Sequence, residues 1–155
     1  MDIQVQPGSS SDNPPRLFKV VPAVLEQLWD GVVPLFEKGK EYWEVFMSLE
    51  DIYRLIATGH YDLWLIMDDS DVLIVLLTEL IQYPSVRVLR SLYVGGSDID
   101  RALEALDQLE LWARRSGVTR CEFSGRAGWE KKLRSRGYRR ESVLLTKNLT
   151  GLTEH

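Results

Sequence analysis

Three β-rich runs in close succession constrain this chain more than anything else in it. Residues 61–67, 72–83 and 87–94 are rich in Leu, Ile, Val and aromatics. Only Asp68-Asp69-Ser70-Asp71 and a turn at Pro84 separate them. Connections this short cannot carry a crossover, so the three strands are predicted to pair antiparallel, as a meander. Gly95-Gly96 closes the third run, and Ser97-Asp98-Ile99-Asp100 is predicted to cap a helix reaching about Ser116. Its buried face would be Ile99, Ala102, Leu103, Leu106, Leu109 and Ala113. Gly117 stops it, and residues 118–124 read as the next strand. A strand, a long helix and a strand in succession imply parallel neighbours. The fold class is therefore α/β, an α+β mixed sheet with helices on its faces.

The flanks complete the order β-α-α-β-β-β-α-β-α-β. Residues 16–21 alternate as a short strand. Pro22 opens a helix whose stripe is Val24, Leu25, Leu28, Val32, Leu35 and Phe36. Gly31 and Pro34 predict a kink there, or two short helices. Ser48-Leu49-Glu50-Asp51 resembles a capping box before Ile52, Leu55 and Ile56, with Gly59 as the stop. Residues 128–136 form a short basic helix ended by Gly137. Tyr138 and Val143-Leu144-Leu145-Thr146 supply the last strand. Residues 1–15, rich in Gly, Ser, Asp, Asn and Pro, read as a flexible arm; 16–149 are one domain; 150–155 are a polar tail.

The 155 residues carry a net charge of −4. Residues 1–110 hold 8 Lys/Arg against 19 Asp/Glu, and residues 111–155 hold 11 against 4, so the chain is strongly dipolar. No leader pattern and no bilayer-length apolar run is visible, which points away from membranes. The lone Cys121 excludes an internal disulfide and reads as a buried structural thiol. His60 lies in a surface turn and His155 ends the chain; neither has metal-ligand neighbours, so no metal site is expected. The acidic turn at 68–71 lacks the glycine and distal Glu of a calcium loop and reads as a hairpin turn.

In this order the elements resemble the GNAT-type acyl-CoA N-acyltransferase fold across residues 16–149. The strand-glycine-helix unit over 87–117 carries the resemblance, with Val118-Thr119-Arg120-Cys121-Glu122-Phe123, a short helix and Gly137-Tyr138. Ser48-Leu49-Glu50-Asp51-Ile52, Leu63-Trp64-Leu65, Val88-Leu89-Arg90, Glu110-Leu111-Trp112-Ala113 and Gly125-Arg126-Ala127-Gly128-Trp129-Glu130 are similar to small GNAT-like proteins of tailed bacteriophages.

The resemblance implies a cofactor loop at Val94, Gly95 and Gly96, with Arg126 and Lys131 further along the cofactor's course. GNAT enzymes open that loop with Arg or Gln. Here no Arg or Gln opens it, and Asp98 and Asp100 compete with a phosphate for the helix dipole. The family's general-acid Tyr falls on Leu133, which has no proton to donate. Glu79 is the candidate catalytic base, or else a structural carboxylate paired with Arg90.

The main reading is therefore a non-catalytic phage virion or assembly component with no cofactor, in the virion or the host cytoplasm. It would act through contacts with other phage structural proteins or with itself. Its interaction surface would be Arg114, Arg115, Lys131, Lys132, Arg134, Arg136, Arg139 and Arg140. The same basic segment, with Trp129 and Tyr138 as stacking groups, suits nucleic acid. The alternative is an acetyl-CoA-dependent N-acetyltransferase acting on an amine of a host or phage substrate.

Overall fold

The computed structural model describes residues 13–151, which form two compact units, one ending at Ser124 and one beginning at Gly125. The expected arm falls largely on residues 1–12, and most of the expected tail, His155 included, on 152–155; both stretches lie outside the described residues.

The first unit is built on a five-stranded sheet in sequence order: β1 (Arg16–Lys19), β2 (Asp62–Asp68), β3 (Asp71–Gln82), β4 (Arg87–Gly96) and β5 (Arg120–Phe123). The first four pair antiparallel, and β5 joins β4 in parallel, so the sheet is mixed as the spacing predicts. The acidic turn is the hairpin turn between β2 and β3, with Asp69 taking a positive φ of 52°. Gly95 and Gly96 close β4 as expected, as its last two residues. They lie opposite Val75 and Ile74.

One face of the sheet is covered by α1 (Pro22–Glu37) and α2 (Leu49–Ala57). Leu25, Val32 and Phe36 of α1 and Ile52 and Ile56 of α2 pack with Leu63, Leu65, Val75 and Leu77 of the strands. Helix α1 is unbroken despite Pro34. The proline costs one backbone donor near the helix's exposed end, while buried Val32, Leu35 and Phe36 hold the turn around it. The capping box of α2 forms as expected: the Ser48 hydroxyl accepts from the Asp51 N–H, and the Asp51 carboxylate accepts from the Ser48 N–H. Those bonds hold the Asp51 carboxyl below its usual range.

The helix expected over 97–116 covers the other face in three pieces: α3 (Ile99–Ala102), a 3₁₀ turn (Leu103–Ala105) and α4 (Leu106–Arg115). A 3₁₀ turn stacks residues three apart, which drives Ala102 and Ala105 together onto Ile66, Leu73 and Ile74. Asp98 begins α3 in the left-handed region and makes no side-chain cap bond, contrary to the expected acidic cap. Arg101 instead anchors the start of the helix through a 2.7 Å ion pair to buried Asp68. Gln108 of α4 reaches the free edge of β1: its Oε1 accepts from the Leu17 N–H at 3.0 Å, and its Nε2 donates to the Pro15 carbonyl at 3.2 Å.

Two bulges shape the sheet. Leu73 is extra between the pairs Ile66–Ile74 and Met67–Val72, and Leu92 is extra between Leu77–Tyr93 and Thr78–Ser91. Just past the second bulge, the Tyr93 ring stacks on Phe36, and its hydroxyl donates to the Leu35 carbonyl at 2.8 Å. A Cβ on Gly39 or Gly95 would meet that hydroxyl at 2.4 or 2.1 Å. A Cβ on Gly96, whose φ is +148°, would meet the Leu73 carbonyl oxygen at 2.0 Å. Cys121 is half-buried rather than fully buried. No helix among the described residues is long and apolar enough to cross a membrane.

In the second unit α5 (Ala127–Arg134) is the only regular element among the described residues. The expected last strand at 143–146 does not form. Val143, Leu144 and Leu145 are 69%, 81% and 87% exposed, and β-prone side chains alone do not make a strand without a paired neighbour.

Two outcomes follow for stability. Gly96→Ala forces its Cβ into the β3 backbone and should destabilise the fold by about 2 kcal/mol or more, read as a lower denaturation midpoint. Burial pushes the Tyr93 phenol up to about 12. A raised acid favours the folded state below the unfolded pKa of about 10, and that advantage is lost as pH rises towards 12. The stability gap between the wild-type chain and Tyr93→Phe should therefore narrow over that window in urea titrations.

Candidate active site

The polar groups of the sheet gather at one end of β3, β4 and β5. Glu79, Arg90 and Glu122 are direct cross-strand neighbours in register, so their side chains share a face. That face is the one under α1 and α2, because Glu79 follows two residues after Leu77, which packs there. Arg90 is half-buried and turns away from Glu79. Its guanidinium donates to the Glu122 carboxylate at 3.3 Å and to the Tyr83 hydroxyl at 3.2 Å. Those bonds outweigh desolvation and raise its pKa further. Arg120 holds the other oxygen of Glu122 at 3.2 Å.

Glu122 is thus held on both sides, whereas the Glu79 carboxylate has no hydrogen bond or ion pair among the described residues. Pairing between Glu79 and Arg90, one of the two expectations, does not occur. Glu79 is half-buried, and its charge is felt by Tyr61, whose phenol is pushed up first by burial and then by this carboxylate. A half-buried carboxylate with no competing partner can accept a proton from a group brought to it.

Next to this row the sheet opens. The pairing of β4 with β5 ends at Ser91 opposite Phe123, while β4 runs on to Gly96. The backbone from Leu92 to Gly96 therefore presents a strand edge on the β5 side. Thr78, the neighbour of Glu79, pairs with Ser91 where the opening begins. A chain of amide groups is what such an edge is built to pair with.

At the far end of the opening lie Val94, Gly95 and Gly96. Gly95 makes room for Tyr93 and Gly96 for the β3 backbone, so both glycines have packing reasons to be there. Val94 lines a small apolar hollow with Ile99, Leu103, Leu106 and Phe123. A cation reaches this junction from elsewhere in the chain: Lys38, just past α1, donates to the Gly96 carbonyl at 3.4 Å. Arg101 also stands here, but it is committed to Asp68 and to the Asn13 carbonyl.

Arg114 and Arg115 lie exposed in the last turn of α4, where they complement the helix dipole. The remaining expected residues belong to the second unit. Arg126 precedes α5 in an extended conformation and is exposed; Lys131 and Lys132 are exposed on α5. Glu130 pairs with both Arg134 and Arg140, and Arg139 pairs with Glu141 at 3.5 Å. Leu133 is buried in α5. Tyr138, beside Gly137, closes the helix by donating its N–H to the Leu133 carbonyl at 3.3 Å.

Tyr61, Glu122 and Lys38 were not foreseen. Glu122 was traceable, since a strand parallel to β4 sets some residue opposite Arg90. Nothing in the sequence places Lys38 beside Gly96.

Solved structures share this fold. A probable acetyltransferase superposes with a TM-score of 0.65 over 90% of this chain and 99% of its own, at 17% identity. An aminoglycoside acetyltransferase from an uncultured soil metagenomic sample, in complex with sisomicin, gives 0.67 over the same shares at 10% identity. The fold is that of the GNAT-type acetyltransferases. A predicted acetyltransferase from Clostridium acetobutylicum, solved with acetyl-CoA, matches with a TM-score of 0.63 over 90% of this chain and 99% of its own, at 11% identity. No family model and no curated protein matches the sequence. Identities this low establish the GNAT fold and leave the chemistry to the site itself.

Arg90→Ala should leave Glu122 with Arg120 as its one remaining partner. The expected cost is about 1 kcal/mol of stability, measured by denaturant unfolding, with the fold intact by circular dichroism.

Proposed function

We propose that the chain is an acetyl-CoA-dependent N-acyltransferase that acetylates an amine. The observation that carries this is the strand edge of β4 opening immediately beside the unpartnered Glu79. The residues present suit the cofactor: the backbone of Leu92 to Gly96 would pair with the amides of its pantetheine arm, and the Lys38 ammonium would meet its phosphates. When bound, acetyl-CoA supplies an acetyl group on a thioester. Glu79 takes the proton from the acceptor ammonium at a carboxylate oxygen, which leaves a neutral amine able to attack. Arg90, held by Glu122 and Tyr83, keeps its charge off Glu79 and so leaves that carboxylate available.

A second reading is a catalytically silent component of a tailed-phage particle. It draws on the sequence resemblance and on Leu133, which stands where the general-acid Tyr of the family would be and is buried. Mass spectrometry of purified virions tests it, and absence of the protein there would dismiss it.

Calorimetry with acetyl-CoA should show saturable binding, weakened several-fold in Lys38→Ala. Glu79→Gln should bind the cofactor normally and lose about 10²-fold or more in kcat with an amine acceptor. No heat of binding at millimolar acetyl-CoA would overturn the enzyme reading.

A further inference from the structure

The most exposed large apolar side chains among the described residues fall in two short segments. Val45 and Phe46, 75% and 77% exposed, lie between α1 and α2, beside Tyr42 at 41%. Val143, Leu144, Leu145 and Leu149, between 69% and 87% exposed, lie in the second unit. The next most exposed, Val21, reaches only 54%.

The backbone under the first patch is tied by hydrogen bonds. Trp43 is buried beneath it, with its Nε1–H donated to the Phe36 carbonyl at 2.8 Å, and the Phe46 and Met47 N–H groups both bond the Trp43 carbonyl. Holding two bare apolar side chains in a fixed position in water is unfavourable unless something covers them.

The two segments also carry opposite charge. Residues 37–51 hold five carboxylates against two lysines, while residues 139–149 hold Arg139, Arg140 and Lys147 against the single Glu141. Lys147 has no ion pair among the described residues. Arg139 and Arg140 pair with Glu141 and Glu130, and each segment still joins apolar side chains to a net charge opposite to the other's.

We infer that these segments are the two halves of an interface between copies of this chain. The 139–149 run of one copy lies across Tyr42, Val45 and Phe46 of another. Apolar contact supplies the driving force, and the charges set the pairing. Because the contacting surfaces differ, two copies can each cover the other's patch, or a third copy can add to the free end. The inference stands apart from acetyl-CoA binding and holds whether or not the protein is an enzyme. A nucleic acid or an acidic protein as the occupant would engage the basic run and leave Val45 and Phe46 uncovered.

Sedimentation velocity of the full chain, from micromolar to submillimolar concentration, should show reversible self-association that weakens as salt is raised. Phe46→Asp and Leu144→Asp each remove one half of the contact and should each lower the self-association constant about 10-fold or more. Each alters an exposed side chain, and circular dichroism checks folding; Val45→Asp replaces Phe46→Asp if the latter unfolds. The deciding measurement is the mixture. The first variant keeps its run and the second keeps its patch, so mixing the two monomeric variants should restore a one-to-one complex. A wild-type chain that stays monomeric, variants that associate like the wild type, or a mixture that stays monomeric would each overturn the inference.

Discussion

The arrangement around Tyr93 is the contact on which the rest of this molecule depends. One phenol is stacked on Phe36, bonded to the last turn of α1, and closed in by Gly39 and Gly95. It joins the first helix to the middle of the fourth strand, across more than fifty residues of sequence. The chain leaves α1 next to this ring, and that departure point brings Lys38 to Gly96. The aromatic is inert chemically, since burial keeps its proton in place, but it sets where Lys38 stands at the β4–α3 junction.

The polar row at the other end of the sheet follows the opposite logic. Core packing by α1 and α2 covers β2 and the middle of β3, then stops. Beyond Leu77 the same face carries Glu79, Arg90 and Glu122 in place of aliphatic residues. Three charges side by side would be costly without mutual pairing, yet the pairing is uneven: Arg90 and Arg120 both serve Glu122. The unevenness leaves one half-buried carboxylate beside an opening strand edge, and the proposed acetyl transfer rests on that arrangement.

Much of the fold was legible because it rests on local rules. Strand spacing dictated the meander, the Ser48–Asp51 box dictated where α2 begins, and glycines marked the ends. The failures share a cause. The break at Leu103–Ala105 in the helix expected over 97–116 comes from two alanines fitting against the sheet, which is tertiary packing that periodicity cannot see. The persistence of α1 through Pro34 has the same origin. Val143 to Thr146 has every local mark of a strand and lacks only a neighbour, which no local rule supplies. At the site, Glu79 was visible as a carboxylate in an apolar run, whereas its lack of a partner depended on where Arg90 turned. The glycine pair matched a cofactor loop by pattern, and the structure adds that steric fit alone would retain both glycines.

The side chain of Gln108 does what a sixth strand would otherwise do. Its amide offers an acceptor and a donor at about the spacing of a peptide group, so from a helix it pairs with the Leu17 N–H of β1 and with the Pro15 carbonyl just before the strand. An uncovered edge strand is a template on which foreign chains can grow. Here a single glutamine occupies part of that template, reinforced by the charged Arg16 and Lys19 on the same short strand. The sheet can therefore end after the four residues of β1 with part of that edge already occupied.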